Sequence, residues 1–185
     1  MNLLYALPRV PLAGGPTPLQ ALPRLSAALG GPTLWCKRDD LTALGGGGNK
    51  ARKLEYLLAA ARADGADTVI TFGGAHSNHA RMTAVAARML GLEPILVLTG
   101  TPLDPPVGNL LLDHLAGARI EWAPDYGAGR DALVADLKAE LARAGRRAAW
   151  IPGGGTTPLG AMGYVRAALE LRAQCEAEGI RPAAM

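Results

Sequence analysis

Segments with a helical spacing of apolar residues alternate along the chain with short runs of apolar, β-branched residues. In one helical segment, Leu54, Leu57, Leu58 and Ala61 fall on a single face of the predicted helix. Short loops join the segments, a pattern typical of βαβ units around a parallel sheet. The sequence therefore predicts an α/β fold in which helices flank a parallel sheet, with ligands at the carboxyl ends of the strands. The predicted strands are Thr33–Lys37, Thr68–Phe72, Pro94–Thr99, Arg119–Trp122 and Ala148–Ile151, and the predicted helices are Pro23–Leu29, Ala51–Ala63, Asn78–Leu90, Gly108–Leu115, Arg130–Ala144 and Leu159–Glu178.

Charge and hydropathy argue against several classes of partner. Lys and Arg (19) exceed Asp and Glu (16) by only 3, and the charges are scattered, so we expect no nucleic-acid partner. No run approaches the roughly 20 apolar residues of a membrane helix, and prolines interrupt the first 20 residues where a signal peptide would lie. Cys36 and Cys175 match no metal spacing. We expect a cytoplasmic protein with reduced thiols and no membrane partner.

The most informative stretch runs from Lys37 to Tyr56, and its loop, Arg38–Asn49, contains four consecutive glycines, Gly45–Gly48, just before Asn49 and Lys50. Glycines let the backbone approach a ligand closely, and a helix begins immediately afterwards. The helix dipole and the cationic neighbours Arg52 and Lys53 disfavour the Lys50 ammonium, which suits an amine nucleophile that captures an aldehyde. A nucleotide-binding P-loop does not fit, because Asn precedes the lysine and Ala51 replaces the magnesium-binding hydroxyl. A flexible surface loop with solvated lysines remains equally open from the residues alone.

A second glycine turn, Gly73–Gly74, follows a predicted strand and leads to Ser77 at the start of a helix. The simplest interpretation is that Ser77 only caps this helix, and the pattern by itself favours that interpretation. The same geometry also makes an anion site, since the free N–H groups of a helix start can hold a substrate carboxylate.

Three segments in this order resemble the pyridoxal-phosphate (PLP) enzymes of the D-cysteine desulfhydrase and 1-aminocyclopropane-1-carboxylate deaminase family. They are Lys-Arg-Asp-Asp followed by Gly-Gly-Asn-Lys-Ala-Arg-Lys-Leu-Glu, then Gly-Gly-Ala-His-Ser-Asn-His, then Pro-Gly-Gly-Gly-Thr-Thr-Pro-Leu-Gly-Ala-Met-Gly-Tyr. The resemblance implies a tryptophan synthase beta-like PLP fold. It implies that Lys50 bonds the cofactor as an imine, with Lys53 as a less favoured attachment point. Asn49 is implied to bind the cofactor as well.

The resemblance also assigns roles around Ser77. Ser77 is implied to be a catalytic hydroxyl, Asn78 to contact the phenolic oxygen of the cofactor, and the Asn78 and His79 amides to bind the substrate carboxylate. His76 stands where the family usually has Gln. No metal site is expected, because His79 has no partners at ligand spacing.

Other positions are expected to have structural roles. Gly46 replaces a larger residue of the family and is expected to loosen the loop. Asp39 and Asp40 are expected to bond backbone N–H groups of that loop, and Asn109 to be structural.

Family members are about twice as long as this chain, so the resemblance implies a fragment. Residues 53–161 would form a complete small α/β domain, and residues 1–52 and 162–185 would belong to a truncated large domain. The absent part would supply the cup for the cofactor phosphate, and the full-length protein is expected to be a homodimer.

The activity that the resemblance implies is that of a lyase or hydrolase acting on a small amino acid. D-cysteine desulfhydrase yields pyruvate, hydrogen sulfide and ammonia. It is favoured because the segments Lys-Arg-Asp-Asp-Leu-Thr and Ser-Asn-His-Ala-Arg resemble desulfhydrases more than bacterial deaminases. The alternatives are 1-aminocyclopropane-1-carboxylate deaminase, which yields 2-oxobutanoate and ammonia, and an inactive remnant that does not bind PLP.

Overall fold

The computed structural model describes residues 6–184, so residues 1–5 and 185 of the two predicted large-domain pieces lie outside the described residues. Two sheets are present in this part of the chain. The first is a two-stranded antiparallel sheet of β1 (Leu19–Ala21) and β2 (Trp35–Lys37), which are connected through helix α1 (Pro23–Leu29). The second sheet is parallel, with four strands in the order β5-β4-β3-β6.

The parallel sheet alternates with helices along the chain, as the apolar pattern predicts. The elements are α2 (Lys50–Ala63), β3 (Thr68–Gly74), α3 (Asn78–Met89), β4 (Glu93–Thr99), α4 (Gly108–Leu115), β5 (Arg119–Trp122), α5 (Ala128–Arg143), β6 (Ala148–Ile151) and α6 (Pro158–Ala177). The predicted α/β fold with a parallel sheet flanked by helices is therefore confirmed. Strand β1 was not predicted, and the described residues also include short 3₁₀ turns at Asp39–Leu41, Leu44–Gly46 and Gly153–Gly155.

Successive side chains of the central strands enter opposite layers of the core, because residues of a strand alternate between its two faces. Val69 of β3 packs in the layer formed with α2 and α3, and Ile70 packs in the layer formed with α5. Leu96 and Leu98 of β4 meet α3 and α4, completing the first layer. All four strands are parallel, so their carboxyl ends, where the glycine turns lie, share one edge.

Helices α2 and α6 pack closely because glycines remove side chains at their contact. A Cβ added at Gly163 would lie 2.1 Å from the Arg52 carbonyl oxygen, and one at Gly160 would lie 2.2 Å from the Gly155 carbonyl oxygen. Backbone atoms cannot move aside as a flexible side chain does. The spacing between these two helices therefore depends on the absence of a Cβ at Gly163, while Gly160 lets the start of α6 approach the Gly153–Gly155 turn.

We predict that Gly163→Ala lowers the free energy of unfolding by at least about 2 kcal/mol, because α6 must move away from α2. Urea unfolding followed by circular dichroism measures this change. Gly31→Ala is the matched control, since nothing lies within 4 Å of a Cβ there and its φ is not positive. Equal stability of the two variants would contradict the close packing of the helices.

Candidate functional site

The glycine loop before α2 has a backbone that only glycine adopts readily. Gly45, Gly46, Gly47 and Gly48 all have positive φ angles, between 53° and 139°. A Cβ at Gly47 would lie 1.8 Å from the Asp40 carbonyl oxygen, so no side chain fits there. The loop is thus folded tightly on itself before Lys50.

Two side chains hold this glycine loop in place. Arg81 of α3 donates to the carbonyl oxygens of Gly45 (2.6 Å) and Gly47 (2.9 Å). The Thr42 hydroxyl donates to the Gly48 carbonyl (2.8 Å) and accepts from the Gly48 N–H (2.9 Å). A Cβ at Gly46 would lie 2.8 Å from an Arg81 guanidinium nitrogen, so a glycine at this position leaves room for the arginine. The expected loosening at Gly46 is opposed by these contacts.

Lys50 is the first residue of α2, and its side chain lies among polar groups from distant segments. Its Nζ donates to Asn49 Oδ1 at 3.1 Å, and Asn49 Nδ2 donates to the Tyr164 hydroxyl at 2.5 Å. The turn at Gly154 lies beside it, with 3.8 Å between a Cβ built there and Lys50 Cε. Within residues 6–184, Lys50 has no carboxylate partner, so its amine is not neutralised by an ion pair.

Lys53, the alternative attachment point, lies one turn further along α2. Its Nζ donates to Thr156 Oγ1 at 3.1 Å and lies 5.6 Å from the centre of the Tyr164 ring. Burial and the charge of Lys50 lower the pKa of Lys53. Both amines therefore face the same side of α2, and each lies beside the Gly153–Gly155 turn.

Arg52 points away from Lys50, into a buried ion network. Its guanidinium donates to Asp39 at 2.7 and 2.8 Å and to Glu170 at 3.0 and 3.1 Å. Burial alone would raise the pKa of Glu170, but hydrogen bonds from Arg52 and Lys37 lower it to about 2. The network joins α2, α6 and the segment after β2. Asp39 and Glu170 neutralise Arg52, which the sequence suggested as a cationic neighbour of Lys50.

The roles expected for the two aspartates need correction. Asp39 accepts from the side chains of Arg52 and Thr17 rather than from backbone N–H groups of the loop, and Asp40 accepts from the Arg38 side chain. The prediction of backbone partners was wrong for Asp39, because N–H groups of the loop find other acceptors: that of Gly48 donates to Thr42 Oγ1 and that of Gly47 to the Leu44 carbonyl oxygen.

Helix α3 begins at the carboxyl end of β3, and Ser77 is its N-cap as the sequence predicts. Ser77 Oγ accepts from the Ala80 N–H at 3.2 Å. A Cβ at Gly73 would lie 2.6 Å from Ser77 Oγ, so the glycine lets the serine approach the strand. Asn78 and His76 are exposed at this helix start.

His79 is almost completely buried beneath the Gly153–Gly155 turn. The Thr71 hydroxyl donates to the Ile151 carbonyl (2.8 Å), so Thr71 Oγ1 accepts from His79 Nε2 at 2.9 Å. Burial, reinforced by the charges of Lys50 and Lys53, lowers the pKa of His79 to about 4. The ring is therefore neutral with its proton on Nε2, and Nδ1 has no hydrogen-bond partner among the described residues.

Two site-forming residues received no role from the sequence. Arg81 belongs to the Ser-Asn-His-Ala-Arg segment, which could have indicated it, whereas Asp113 of α4 carries no sequence signal. Asp113 is fully buried and, among the described residues, neither of its carboxylate oxygens has a hydrogen-bond partner. Burial raises the pKa of Asp113 to about 7, although the charge of Arg81 opposes this shift. The carboxyl group thus lies behind the arginine that holds the glycine loop.

We predict that Asp113→Asn removes a pH dependence of stability. A raised pKa in the folded state favours folding at low pH, and this contribution is lost as pH rises from about 4 to about 7. From pH 4 to pH 7 the natural chain should therefore lose stability relative to Asp113→Asn. The difference between their free energies of unfolding should change by at most about 4 kcal/mol, which corresponds to about three pKa units. Denaturant unfolding at pH 4 and pH 8 measures it.

Asp136→Asn, an exposed aspartate on α5, is the control and should show the same pH dependence as the natural chain. A relative stability of Asp113→Asn that does not change between pH 4 and pH 8 would contradict a protonated, buried Asp113.

The described residues thus present a lysine amine beside a glycine loop, at the carboxyl edge of a parallel sheet. The family model described as pyridoxal-phosphate dependent enzyme matches residues 10–184. A putative 1-aminocyclopropane-1-carboxylate deaminase of Pyrococcus horikoshii is 48% identical over 176 residues, covering 94% of this chain and 53% of the relative. A D-cysteine desulfhydrase of Salmonella paratyphi B is 46% identical over 181 residues, covering 95% of this chain and 55% of the relative.

Solved structures give the same result. The crystal structure of a 1-aminocyclopropane-1-carboxylate (ACC) deaminase homologue has a TM-score of 0.85 and 47% identity, covering 93% of this chain and 52% of that chain. A threonine deaminase from T.th. has a TM-score of 0.72 and 26% identity, covering 97% of this chain and 53% of that chain. The chain belongs to the pyridoxal-phosphate dependent enzymes, which confirms the predicted family and cofactor.

The chain spans about half the length of the curated relatives it matches. Lyase fits the names of these relatives, and hydrolase, also expected from the sequence, was wrong. Within residues 6–184, none of the helices combines the length and apolar character needed to cross a bilayer.

The residues present fit the aldehyde end of PLP. Lys50 offers a primary amine without a carboxylate partner among the described residues, and the exposed Asn78 offers an amide at the start of α3. The neutral His79 beneath adds no positive charge to that of Lys50 and Lys53.

Proposed function

We propose that Lys50 holds PLP through an imine bond in an enzyme that converts D-cysteine into pyruvate, hydrogen sulfide and ammonia. The observation that carries this proposal is the Lys50 amine, which lies at the junction of a fixed glycine loop and α2 and has no carboxylate partner among the described residues. The relative from Salmonella paratyphi B, named D-cysteine desulfhydrase, supports the choice of substrate.

When bound, PLP supplies an electron sink for the carbanion formed at the substrate Cα. The residues of this chain would bind and orient the cofactor and the substrate. Lys50 would hold the cofactor through its amine, which could also take up or release a proton beside the substrate Cα. Asn49 accepts a hydrogen bond from the Lys50 amine and is itself held by Tyr164, which fixes where that amine points.

The start of α3 binds the substrate carboxylate in this proposal. The backbone N–H groups of Asn78 and His79 lie in the first turn of a helix of 12 residues, where the dipole favours a negative charge. The Ser77 hydroxyl lies at the same helix start and would act on the substrate, and Asn78 would contact the phenolic oxygen of the cofactor. The charges of Lys50 and Lys53 reinforce the preference for an anionic substrate.

ACC deaminase is the second candidate activity. A relative named for it, from Pyrococcus horikoshii, matches this chain as well as the desulfhydrase does. Both reactions begin with an α-amino carboxylate at the same lysine, so the residues discussed above serve either one.

We predict that the protein incubated with PLP turns yellow, that Lys53→Ala stays yellow and that Lys50→Ala is colourless. The colour is that of a lysine–PLP imine, and only the amine at the loop junction should form it. Absorption spectra after removal of free PLP measure the result. A colourless natural chain, or colour that is lost in Lys53→Ala and kept in Lys50→Ala, would contradict the proposal.

The substrate is tested separately. Hydrogen sulfide and pyruvate should form from D-cysteine and depend on Lys50, with Ser77→Ala lowering kcat by about 100-fold or more if its hydroxyl takes part in proton transfer. Formation of 2-oxobutanoate from 1-aminocyclopropane-1-carboxylate without sulfide release from D-cysteine would favour the deaminase instead.

A further inference from the structure

Asn109, the second residue of α4, connects two atoms at the start of α3. Its Nδ2 donates to the His76 carbonyl oxygen at 2.7 Å and to Asn78 Oδ1 at 2.8 Å. These residues are more than 30 positions apart in the sequence, and Asn109 is half-buried. The asparagine thus joins the fourth helix to the residue that faces the proposed cofactor site.

The two contacts determine which way both amides point. A backbone carbonyl only accepts hydrogen bonds, so the Asn109 atom that faces the His76 carbonyl must be the NH₂ group. The second hydrogen of that group is directed at Asn78, whose facing atom must therefore be the oxygen. An Arg81 guanidinium nitrogen lies 3.5 Å from the same oxygen, and it too can only donate.

Asn78 is left with one free hydrogen-bonding group. Its oxygen is occupied by Asn109 and Arg81, and its NH₂ group has no partner among residues 6–184. Arg81 also holds the carbonyl oxygens of Gly45 and Gly47, so Asn78 lies close to the glycine loop that leads to Lys50.

We propose that Asn109 is a positioning residue that orients Asn78 so that its NH₂ group, and not its oxygen, faces the phenolic oxygen of PLP. This inference rests on the proposed function. The phenolic oxygen carries negative charge when the imine is protonated, so it needs a donor and would repel an amide oxygen. Without Asn109, Asn78 can rotate or flip and the donor is lost for part of the time.

The consequence is measurable in the colour of the protein. A donor on the phenolic oxygen draws charge from it and weakens its hold on the imine proton. Loss of the donor therefore moves the midpoint pH at which the yellow protonated form disappears to higher values. We predict an upward shift of about half a unit to one unit for Asn109→Ala, the range expected for one neutral hydrogen bond.

A double-mutant cycle separates this role from a merely structural one. Asn78→Ala should shift the midpoint upward by at least as much as Asn109→Ala, and adding Asn109→Ala to Asn78→Ala should change it little, because the two residues act in series. His114→Ala, an exposed residue on α4, is the control and should keep the natural midpoint.

Asn109→Asp is the second variant in case the alanine variant does not fold, since it keeps the shape but cannot donate to the His76 carbonyl. The shift in midpoint pH that Asn109→Asp causes should be at most half as large when it is added to Asn78→Ala as when it is added to the natural chain. An unchanged midpoint in Asn109→Ala, or a shift that persists fully without Asn78, would overturn the inference. A natural chain that forms no yellow imine at Lys50 would instead overturn the proposed function.

Discussion

The position of helix α2 is the constraint on which the proposed site depends. Close packing on Gly163 and the buried ion network of Arg52 fix the helix on one side. Arg81 fixes the glycine loop that leads into the helix on the other side. Lys50 lies at the junction, so the direction of its amine follows from contacts made by residues distant from it in the sequence.

Electrostatics divide the neighbourhood of α2 into two regions. On the side of Arg52, two carboxylates neutralise the guanidinium, and the pKa of Glu170 falls to about 2 as a result. On the side of Lys50, the positive charges lack carboxylate partners among the described residues, and His79 beneath them stays neutral. An anionic ligand is favoured on the second side only, because the first is already neutralised.

The order and type of the main elements could be predicted because each strand or helix has its own apolar period. Strand β1 could not, since Leu19–Ala21 is three residues long between prolines and pairs with a strand more than a dozen residues away. The direction of Arg52 was also beyond sequence reasoning, because its partner Glu170 lies 118 positions further along the chain. Helix α4 buries Asp113 while Leu111, Leu112 and Leu115 are exposed, the reverse of what residue type predicts.

Lys50 must differ in reactivity from the other lysines of the chain, Lys37, Lys53 and Lys138, if it alone holds PLP. Borohydride reduction in the presence of equimolar PLP, followed by peptide mass mapping, tests this most directly. We predict a single pyridoxyl group, attached to Lys50. Labels spread over the four lysines, or concentrated on one other than Lys50, would contradict it.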